Sequence, residues 1–304
     1  MRISSRLSAI LQGLFVTFLW STSWILIKRS LSEIPPLTFA GLRYTFAFII
    51  LLPGLWKRRE VVRQLTANDW RRLALLGLLF YTLTQGGQFM TLKHLPAITF
   101  SLLLNFTTMI VAVIAIFTLR EVPSRLQWLG MVIFIGGVLL YFMPLTTFGG
   151  SLTGFIMAGI TVCANALAAI LGRSVNREQR IPPIVVTTIS MGVGSIVLLA
   201  CGLAFQGLPA LSASAWLSVL WLAVVNTAFA FFLWNKTQRI LSAVESSIIN
   251  NTMLIQIAVL AWLFLGERLA MHGIVGLALA AVGILVVNLK DNRRADSEQC
   301  DPEV

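Results

Sequence analysis

Apolar residues fill this chain in long runs that are separated by short polar connections. A helical run of about 18 or more such residues can cross a hydrocarbon core about 30 Å thick. We find ten such runs, at about 9–27, 38–56, 72–91, 97–119, 125–143, 152–172, 183–205, 215–236, 242–265 and 270–289. The pattern predicts an all-α polytopic membrane protein with ten transmembrane helices.

Composition and charge agree with that prediction. Of the 304 residues, 57% are hydrophobic and 12% are charged, which is more apolar surface than a soluble domain can bury. With a cytoplasmic N-terminus, 18 of the 23 basic residues fall on the cytoplasmic side and 4 outside, and Arg43 lies within a span. This asymmetry predicts a multi-pass protein of the cell inner (cytoplasmic) membrane with both termini cytoplasmic. It also explains the net charge of +11 without a nucleic-acid partner.

The cysteines and the C-terminal segment provide no candidate functional site. Cys163, Cys201 and Cys300 are isolated, without metal or disulfide spacing, and we expect no metal site and no cofactor. Residues 290–304 are polar, which predicts a disordered cytoplasmic tail.

The two halves of the chain are copies of each other. A shift of 146 positions aligns residues 97–140 with 243–286, with 11 identities in 44 pairs. These include Asn105 with Asn251 and Glu121 with Glu267, which apolar composition alone does not readily align. A looser echo pairs Ile34–Pro36 with Ile181–Pro183, at a shift of 147. We therefore predict two five-helix repeats, 1–146 and 147–289.

An odd number of crossings per repeat forces the second copy to enter the membrane from the opposite face. Inverted repeats of this kind are an architecture of secondary transporters, with the substrate near the midplane between the copies. Exchange of two slightly different conformations between the halves would convert an inward-open cavity into an outward-open one. The same repeat could also serve a channel or a scaffold.

Polar residues recur at helical spacing within several spans. The clearest stripes are Thr17, Ser21, Trp24 and Lys28; Tyr81, Gln85 and Gln88; and Ser101, Asn105 and Thr108. Such stripes are costly when they face lipid, and they predict a neutral, hydrogen-bonding and partly aromatic cavity. The predicted substrate-binding residues are Trp20, Ser21, Trp24, Arg43, Tyr81, Gln85, Gln88, Asn105, Thr108, Asn165, Trp234 and Asn251.

Each polar residue also has a structural interpretation. Serine, threonine and asparagine commonly join membrane helices, at about 0.6 to 2 kcal/mol per contact, and tryptophan anchors helices at the interface. The glycines of the fifth and tenth spans indicate close packing. Arg43 could attract a substrate carboxylate or phosphate, or it could snorkel to headgroups or bind helix-end carbonyls. No Asp or Glu lies mid-span, so proton coupling is left open and a cationic-drug site is less favoured.

These residues together resemble the drug/metabolite transporter superfamily, in particular its EamA-type branch. The resemblance rests on Trp20, Ser21, Ser23 and Lys28 in the first span, on Arg43 and Tyr44 in the second, and on the repeat endings Leu119–Gly130 and Leu265–Gly276. It extends over about residues 10–290. It implies a ten-helix inverted-repeat fold, export of metabolites such as amino acids or of drugs, and a cavity lined by helices one, three, four, six, eight and nine.

The chain departs from the family pattern at two positions. The resemblance implies a proline 13 residues before each repeat-ending glutamate, where this sequence has Thr108 and Leu254. Whether the fourth and ninth helices kink is therefore open.

The sequence favours a secondary transporter, and an exporter, of a small polar or amphipathic metabolite or of drugs. A passive channel or a lipid scramblase is the alternative. An intramembrane enzyme is less favoured, because His94 and His272 sit at helix ends and no catalytic constellation shares a depth. The expected partners are a small-molecule substrate and membrane lipids, and the oligomeric state is not indicated.

Overall fold

The computed structural model describes residues 5–119, 124–143, 151–177, 180–237, 240–241 and 243–288. Within these ranges the long elements are helices and none is a strand, which confirms the all-α prediction. The predicted disordered tail lies outside the described residues. In chain order the elements are α1 Ser5–Ser30, α2 Pro36–Trp56, α3 Arg59–Arg63, α4 Ala67–Gly77, π-helix π1 Leu78–Gln85, α5 Gly86–His94, α6 Ala97–Leu104, α7 Phe106–Leu119, α8 Arg125–Tyr141, α9 Leu152–Arg177, α10 Pro183–Gln206, α11 Ala213–Ala223, π-helix π2 Val224–Phe229, α12 Ala230–Thr237, α13 Ala243–Leu265 and α14 Met271–Asn288.

Nine of the predicted spans fall on helices of marked apolar character. By length and composition, six helices of the described chain can cross a membrane: Arg6–Ser30, Pro36–Trp56, Leu152–Asn176, Pro183–Gln206, Ala213–Trp234 and Ile248–Leu265. Three shorter apolar helices are Ala97–Val111, Arg125–Tyr141 and Met271–Val287. The third predicted span lies in the continuous helical run α4–π1–α5, which two glutamines and a tyrosine make more polar.

The third and eighth spans each change from α-helix to π-helix at equivalent places. The π-helices begin at Leu78 and Val224, which the repeat shift of 146 aligns. In each, a threonine hydroxyl donates to the carbonyl five residues earlier: Thr84 to Leu79 at 2.9 Å and Thr227 to Leu222 at 2.8 Å. A π-turn inserts an extra residue, so side chains beyond it leave the regular α-helical register. The stripe predicted with regular α spacing therefore changes face along the third span.

The fourth span is broken, whereas the ninth is continuous. The side-chain amide of Asn105 donates to the carbonyl of Ser101 at 2.7 Å, and α6 ends there before α7 begins. A side chain that takes the carbonyl four residues back competes with the helical backbone, which accounts for a break without proline. The equivalent Asn251 lies inside the uninterrupted α13.

The pairing of α8 with α14 establishes that the two repeats are inverted. A Cβ added at Gly130 would lie 2.8 Å from the carbonyl oxygen of Gly283, and one at Gly137 would lie 2.7 Å from that of Gly276. The repeat shift equates Gly130 with Gly276 and Gly137 with Gly283, so the first glycine of each copy faces the second glycine of the other copy. Equivalent helices therefore run antiparallel. Only glycine permits backbones to approach this closely.

The pairing of α2 with α10 repeats this antiparallel relationship. Gly41 faces Leu199, with an added Cβ 2.5 Å from its Cα, and Gly202 faces Thr38. Both helices begin with a proline in their first turn, at Pro36 and Pro183, as the repeated Ile-Pro-Pro motif requires. Two equivalent helix pairs thus form the seam between the halves.

A carboxylate at the start of α4 joins the halves away from the apolar spans. Asp69 accepts from the hydroxyl of Thr66 at 2.7 Å and from its backbone N–H at 2.9 Å, and pairs with Arg180 at 2.6 Å. The hydrogen bonds from Thr66, with support from Arg180, hold the pKa of Asp69 below its usual range. This capping box both starts α4 and ties it to the segment before α10.

Candidate functional site

The predicted site residues fall on both repeats, and the structure brings only some of them together. They are Trp20, Ser21 and Trp24 on α1; Arg43 on α2; Tyr81 and Gln85 on π1; Gln88 on α5; Asn105 at the α6–α7 break; Thr108 on α7; Asn165 on α9; Trp234 on α12; and Asn251 on α13. Their hydrogen bonds and ring contacts separate those that join helices from those that have polar atoms to spare.

The side chain of Arg43 on α2 connects the first repeat to the second through a hydrogen bond. This side chain is 4% exposed, and its Nε donates to the hydroxyl of Thr227 on π2 at 3.0 Å. The guanidinium carbon lies 5.1 Å from the ring centre of Tyr44 and 6.0 Å from that of Phe89. Cation–π contacts of this kind position a guanidinium without neutralising its charge.

Tyr44 links Arg43 to the third span. Its hydroxyl donates to Oε1 of Gln85 at 2.6 Å, and its ring lies 5.4 Å from that of Tyr81. Three predicted residues, Arg43, Tyr81 and Gln85, therefore belong to one cluster with Tyr44 at its centre. We call Arg43, Tyr44, Tyr81 and Gln85 the arginine cluster.

The hydroxyl stripe of α1 serves the contact with α13. Ser21 is fully buried, and its hydroxyl is within hydrogen-bond distance of two acceptors, the carbonyl of Thr17 at 2.8 Å and Oε1 of Gln256 at 2.9 Å. The amide nitrogen of Gln256 donates to Thr17 at 3.2 Å and to Thr252 at 3.0 Å. These groups satisfy one another across two apolar helices, which is how polar residues join membrane helices.

The two tryptophans of α1 lie in different aromatic contacts. Trp20 contacts Trp234 and Phe231, with ring centres 5.3 and 5.6 Å apart. Trp24 is 4% exposed and lies 5.1 Å from Phe100. Trp20 and Trp234 thus join the first and eighth spans, and their role in substrate binding stays a prediction.

The repeat equates these aromatics with glutamines. A shift of 146 aligns Gln85 with Phe231 and Gln88 with Trp234, so the rings against Trp20 occupy the positions that amides hold in the first repeat. In the second repeat these positions hold aromatic rings that pack on Trp20, and in the first repeat they hold amides. At these positions the third span is therefore more polar than the eighth.

Gln88 presents the clearest spare hydrogen-bonding capacity. It is 7% exposed, and its amide makes no hydrogen bond with any described residue. The amide nitrogen of Asn251 is buried and likewise has no partner among the described residues. A buried amide nitrogen without a partner, such as that of Asn251, costs about 1–3 kcal/mol, which a bound solute or water would offset.

The remaining asparagines are used locally. Asn105 binds the carbonyl of Ser101, as described above, and Asn165 on α9 donates to the hydroxyl of Thr107 at 3.1 Å. Thr108 is half-buried next to that contact in sequence. Asn105 thus organises the break between α6 and α7, and Asn165 joins α7 to the sixth span.

Sequence reasoning missed Thr227 and left Tyr44 and Gln256 out of the site. A signal for Thr227 existed, because the repeat shift places it opposite Tyr81. Tyr44 was adjacent to Arg43 and part of the family motif. Gln256 was visible as one more amide on the ninth span, but its partner lies 235 positions away and no local pattern indicates it.

The described residues offer no metal centre. No group of three His, Cys, Asp or Glu side chains within the described ranges could hold a metal ion. The chemistry available at the site is therefore hydrogen bonding, aromatic contact and the positive charge of Arg43.

Comparison with known proteins gives a family for both halves. Residues 7–143 and 152–289 each match the EamA-like transporter family. The first match ends at residue 143 and the second begins at residue 152.

Several relatives are similar over most of their length. The uncharacterized transporter YvbV of Bacillus subtilis is 27% identical over 282 residues, covering 91% of this chain and 90% of the relative. The uncharacterized inner membrane transporter YedA of Escherichia coli is 25% identical, covering 72% of this chain and 70% of YedA. A solved crystal structure with 21% identity superposes with a TM-score of 0.64 over 94% of this chain and 98% of its own, and shows a shared fold.

Proposed function

The chain belongs to the EamA-like transporter family, and on this premise we propose that it exports a small polar or amphipathic metabolite by alternating access. Family membership and the names of the relatives establish a multi-pass membrane transporter and not an enzyme. Amino acids or drugs as cargo, the outward direction, the cytoplasmic membrane and two cytoplasmic termini are parts of the proposal. The distribution of basic residues supports that orientation.

The observation that carries the proposal is the unpartnered amide of Gln88 inside an inverted repeat. A membrane interior supplies no water to a buried amide, so the group is tolerated where a cavity brings solute or solvent to it. Gln85 lies one helical turn away, with its oxygen held by Tyr44 and its nitrogen without a partner among the described residues. The two amides mark the third span as the wall of a path for a neutral or polar group.

The symmetry of the fold supports alternating access. Equivalent helices run antiparallel at two seams, so each half can adopt the conformation of the other with the opening reversed. Both halves have a π-helix at the same place in the third span of the repeat. Paired π-helices next to the seam provide equivalent points where the helices can change register.

Transport is tested with cells and then with vesicles. Cells that express the protein, the Gln88→Ala variant or the Gln64→Ala variant are compared by mass spectrometry of the medium, and accumulated compounds are loaded into proteoliposomes. Gln64 is an exposed residue between α3 and α4 and provides the matched control. Loss of one hydrogen bond predicts about fivefold slower flux for Gln88→Ala, from about 1 kcal/mol, with Gln64→Ala unchanged.

Three results would contradict the proposal. They are the absence of saturable flux for every accumulated compound, single-channel currents, and lipid flipping without solute movement. The last two would identify a channel or a scramblase in place of a transporter.

A further inference from the structure

The guanidinium of Arg43 has more donors than the protein uses. It carries five N–H groups, and within the described chain only Nε donates, to Thr227. The Thr227 hydroxyl gives its own proton to Leu222, so its oxygen is oriented as the acceptor. Both terminal nitrogens of Arg43 therefore remain without a protein acceptor, on a side chain that is 4% exposed.

The positive charge of Arg43 also lacks a carboxylate. No acidic residue lies between Asp69 and Glu121 or between Glu178 and Glu245, and none lies mid-span. Glu60 and Asp69, which form ion pairs with arginines, lie outside the apolar runs. An uncompensated charge within the membrane costs several kcal/mol, which an anion bound at the guanidinium would offset.

The groups around Arg43 favour an anion with an apolar body. Gln85 contributes an amide nitrogen that is free to donate, because Tyr44 binds its oxygen. Tyr44 and Tyr81 of the arginine cluster, and Phe89 beside it, contribute aromatic rings. Donors and ring faces are thus present together, without the carboxylate that an ammonium group would need.

The duplicated half does not repeat this site. At a shift of 147, Ser190 on α10 takes the place of Arg43, and its hydroxyl donates to the carbonyl of Val186 within its own helix. Around Ser190 the helices close directly, since a Cβ added at Gly77 would meet the Ser190 carbonyl oxygen. Within the described residues, α10 therefore has no counterpart of this site.

We propose that the terminal nitrogens of Arg43, with Gln85 and the Tyr44–Tyr81 rings, bind the carboxylate of a monoanionic substrate that has an apolar or aromatic body. The proposal rests on the proposed transport function and narrows its substrate class from amino acids or drugs to monoanions without an ammonium group. A carboxylate fits the fork of a guanidinium through two parallel hydrogen bonds, which an ammonium or a neutral amide cannot form. The bond from Nε to Thr227 stays in place and couples the occupied site to the second repeat.

The test measures binding to the purified full-length protein in detergent by calorimetry. The probes are phenylacetate, the isosteric neutral phenylacetamide, phenylalanine and inorganic phosphate. We expect phenylacetate to bind at least tenfold more tightly than each of the others. Arg43→Gln should weaken phenylacetate binding about thirtyfold, and Arg43→Lys should retain part of it, because lysine keeps the charge without the fork. Arg63→Gln, at an exposed position on α3, is the matched control and should bind as the wild type does.

Each other result overturns a part of the proposal. Equal binding of phenylacetamide would refute a charge-based site, and preference for phosphate would refute a carboxylate. Equal binding of phenylalanine would refute the requirement for a monoanion. If Arg43→Gln fails to fold, the wild-type comparison of the four probes decides the matter without it.

Failure of this proposal can be told apart from failure of transport. Saturable flux in vesicles with no competition by phenylacetate would leave the transporter in place and remove the carboxylate site. Arg43-dependent binding of phenylacetate without any saturable flux would leave the carboxylate site in place and contradict the transport function.

Discussion

Lys28 and Glu267 hold opposite sides of the turn between α5 and α6. The amine of Lys28 donates to the carbonyl of Leu92 at 2.7 Å and to that of Leu95, at the end of α5. The carboxylate of Glu267 accepts from the N–H groups of Ala97 and Ile98 at 2.7 and 3.0 Å, at the start of α6. Each charge has the sign that its helix terminus favours.

This clamp joins the repeats, because Glu267 follows α13 while the turn belongs to the first half. Arg29 adds a second link, through its hydrogen bond to the carbonyl of Phe264 at 2.7 Å. If this end of the bundle opens during transport, the carboxylate must leave the two N–H groups of α6. In this structure the clamp therefore holds the start of α6 against the second repeat.

Neutralising the clamp should increase access to the inside of α6. Ser101, one turn into α6 and 3% exposed, is changed to cysteine in a background without the native cysteines. Replacing Glu267 by Gln weakens a charge-assisted cap, and we expect severalfold faster labelling of Cys at position 101 by a water-soluble maleimide. Glu60→Gln, at an exposed ion pair on α3, is the control and should leave the rate unchanged. An unaltered rate in Glu267→Gln would show that the clamp does not limit access.

The α1–α13 hydroxyl network should contribute to stability and not to flux. Ser21→Ala removes the hydrogen bond to Gln256 and leaves the oxygen of that amide unpaired. We expect a loss of about 1–2 kcal/mol in the free energy of unfolding, measured in detergent with a chemical denaturant. The rate of transport per folded molecule should stay within twofold of wild type. A large drop in that rate at unchanged stability would return Ser21 to the substrate path.

Glycine substitutions distinguish the seam from the lipid-facing surface. A Cβ at Gly137 would collide with the backbone of Ala280, whereas one at Gly159 on α9 would meet nothing within 4 Å. We expect Gly137→Ala to destabilise the protein by about 3 kcal/mol or to prevent folding. Gly159→Ala should be neutral or slightly stabilising, since alanine is the better helix former. Similar unfolding midpoints for the two variants would contradict the close approach of α8 and α14.

The Asp69 capping box should make stability depend on pH in the acid range. Because its pKa is lowered in the folded protein, the ionised carboxylate stabilises the fold above the unfolded pKa of about 4. That contribution is lost as the pH falls through the folded value. We expect Asp69→Asn to cost about 1 kcal/mol at pH 5 to 8, and the difference from wild type to shrink below about pH 4.

The check is thermal unfolding of both proteins in detergent across that pH range. Glu60→Gln, whose pair with Arg59 is solvent-exposed, should differ little from wild type throughout. A gap between wild type and Asp69→Asn that widens towards low pH would have the wrong sign and would exclude the proposed cause.

Much of the fold could be predicted from sequence because lipid imposes one strong requirement. Every membrane crossing must satisfy its backbone hydrogen bonds within itself, so the length of an apolar run predicts a helix directly. The duplication, with an odd number of crossings in each copy, then predicted that the two repeats are inverted. The antiparallel glycine contacts of α8 with α14 confirm this prediction. The π-helices and the Asn105 break were not predicted. They depend on single side chains that take a carbonyl from the backbone, and periodicity averages over such local events.

The candidate site was predicted as a set of polar positions, without their roles. Helical spacing identified Ser21 and Gln88 equally well, since each belongs to a stripe of polar residues on one face of a helix. The structure gives Ser21 a partner in Gln256 and gives Gln88 none among the described residues. A residue's own sequence neighbourhood does not contain a partner that is 235 positions away.

The sequence by itself therefore determined a duplicated, helical, membrane-spanning chain with one arginine at an unusual depth. Only the tertiary structure decided which polar groups join helices and which keep free donors, and that Arg43 reaches the π-helix of the other repeat. The physical reason is that burial in lipid depends on each segment's own composition. Hydrogen-bond satisfaction depends on what the folded chain brings within 3 Å of each donor.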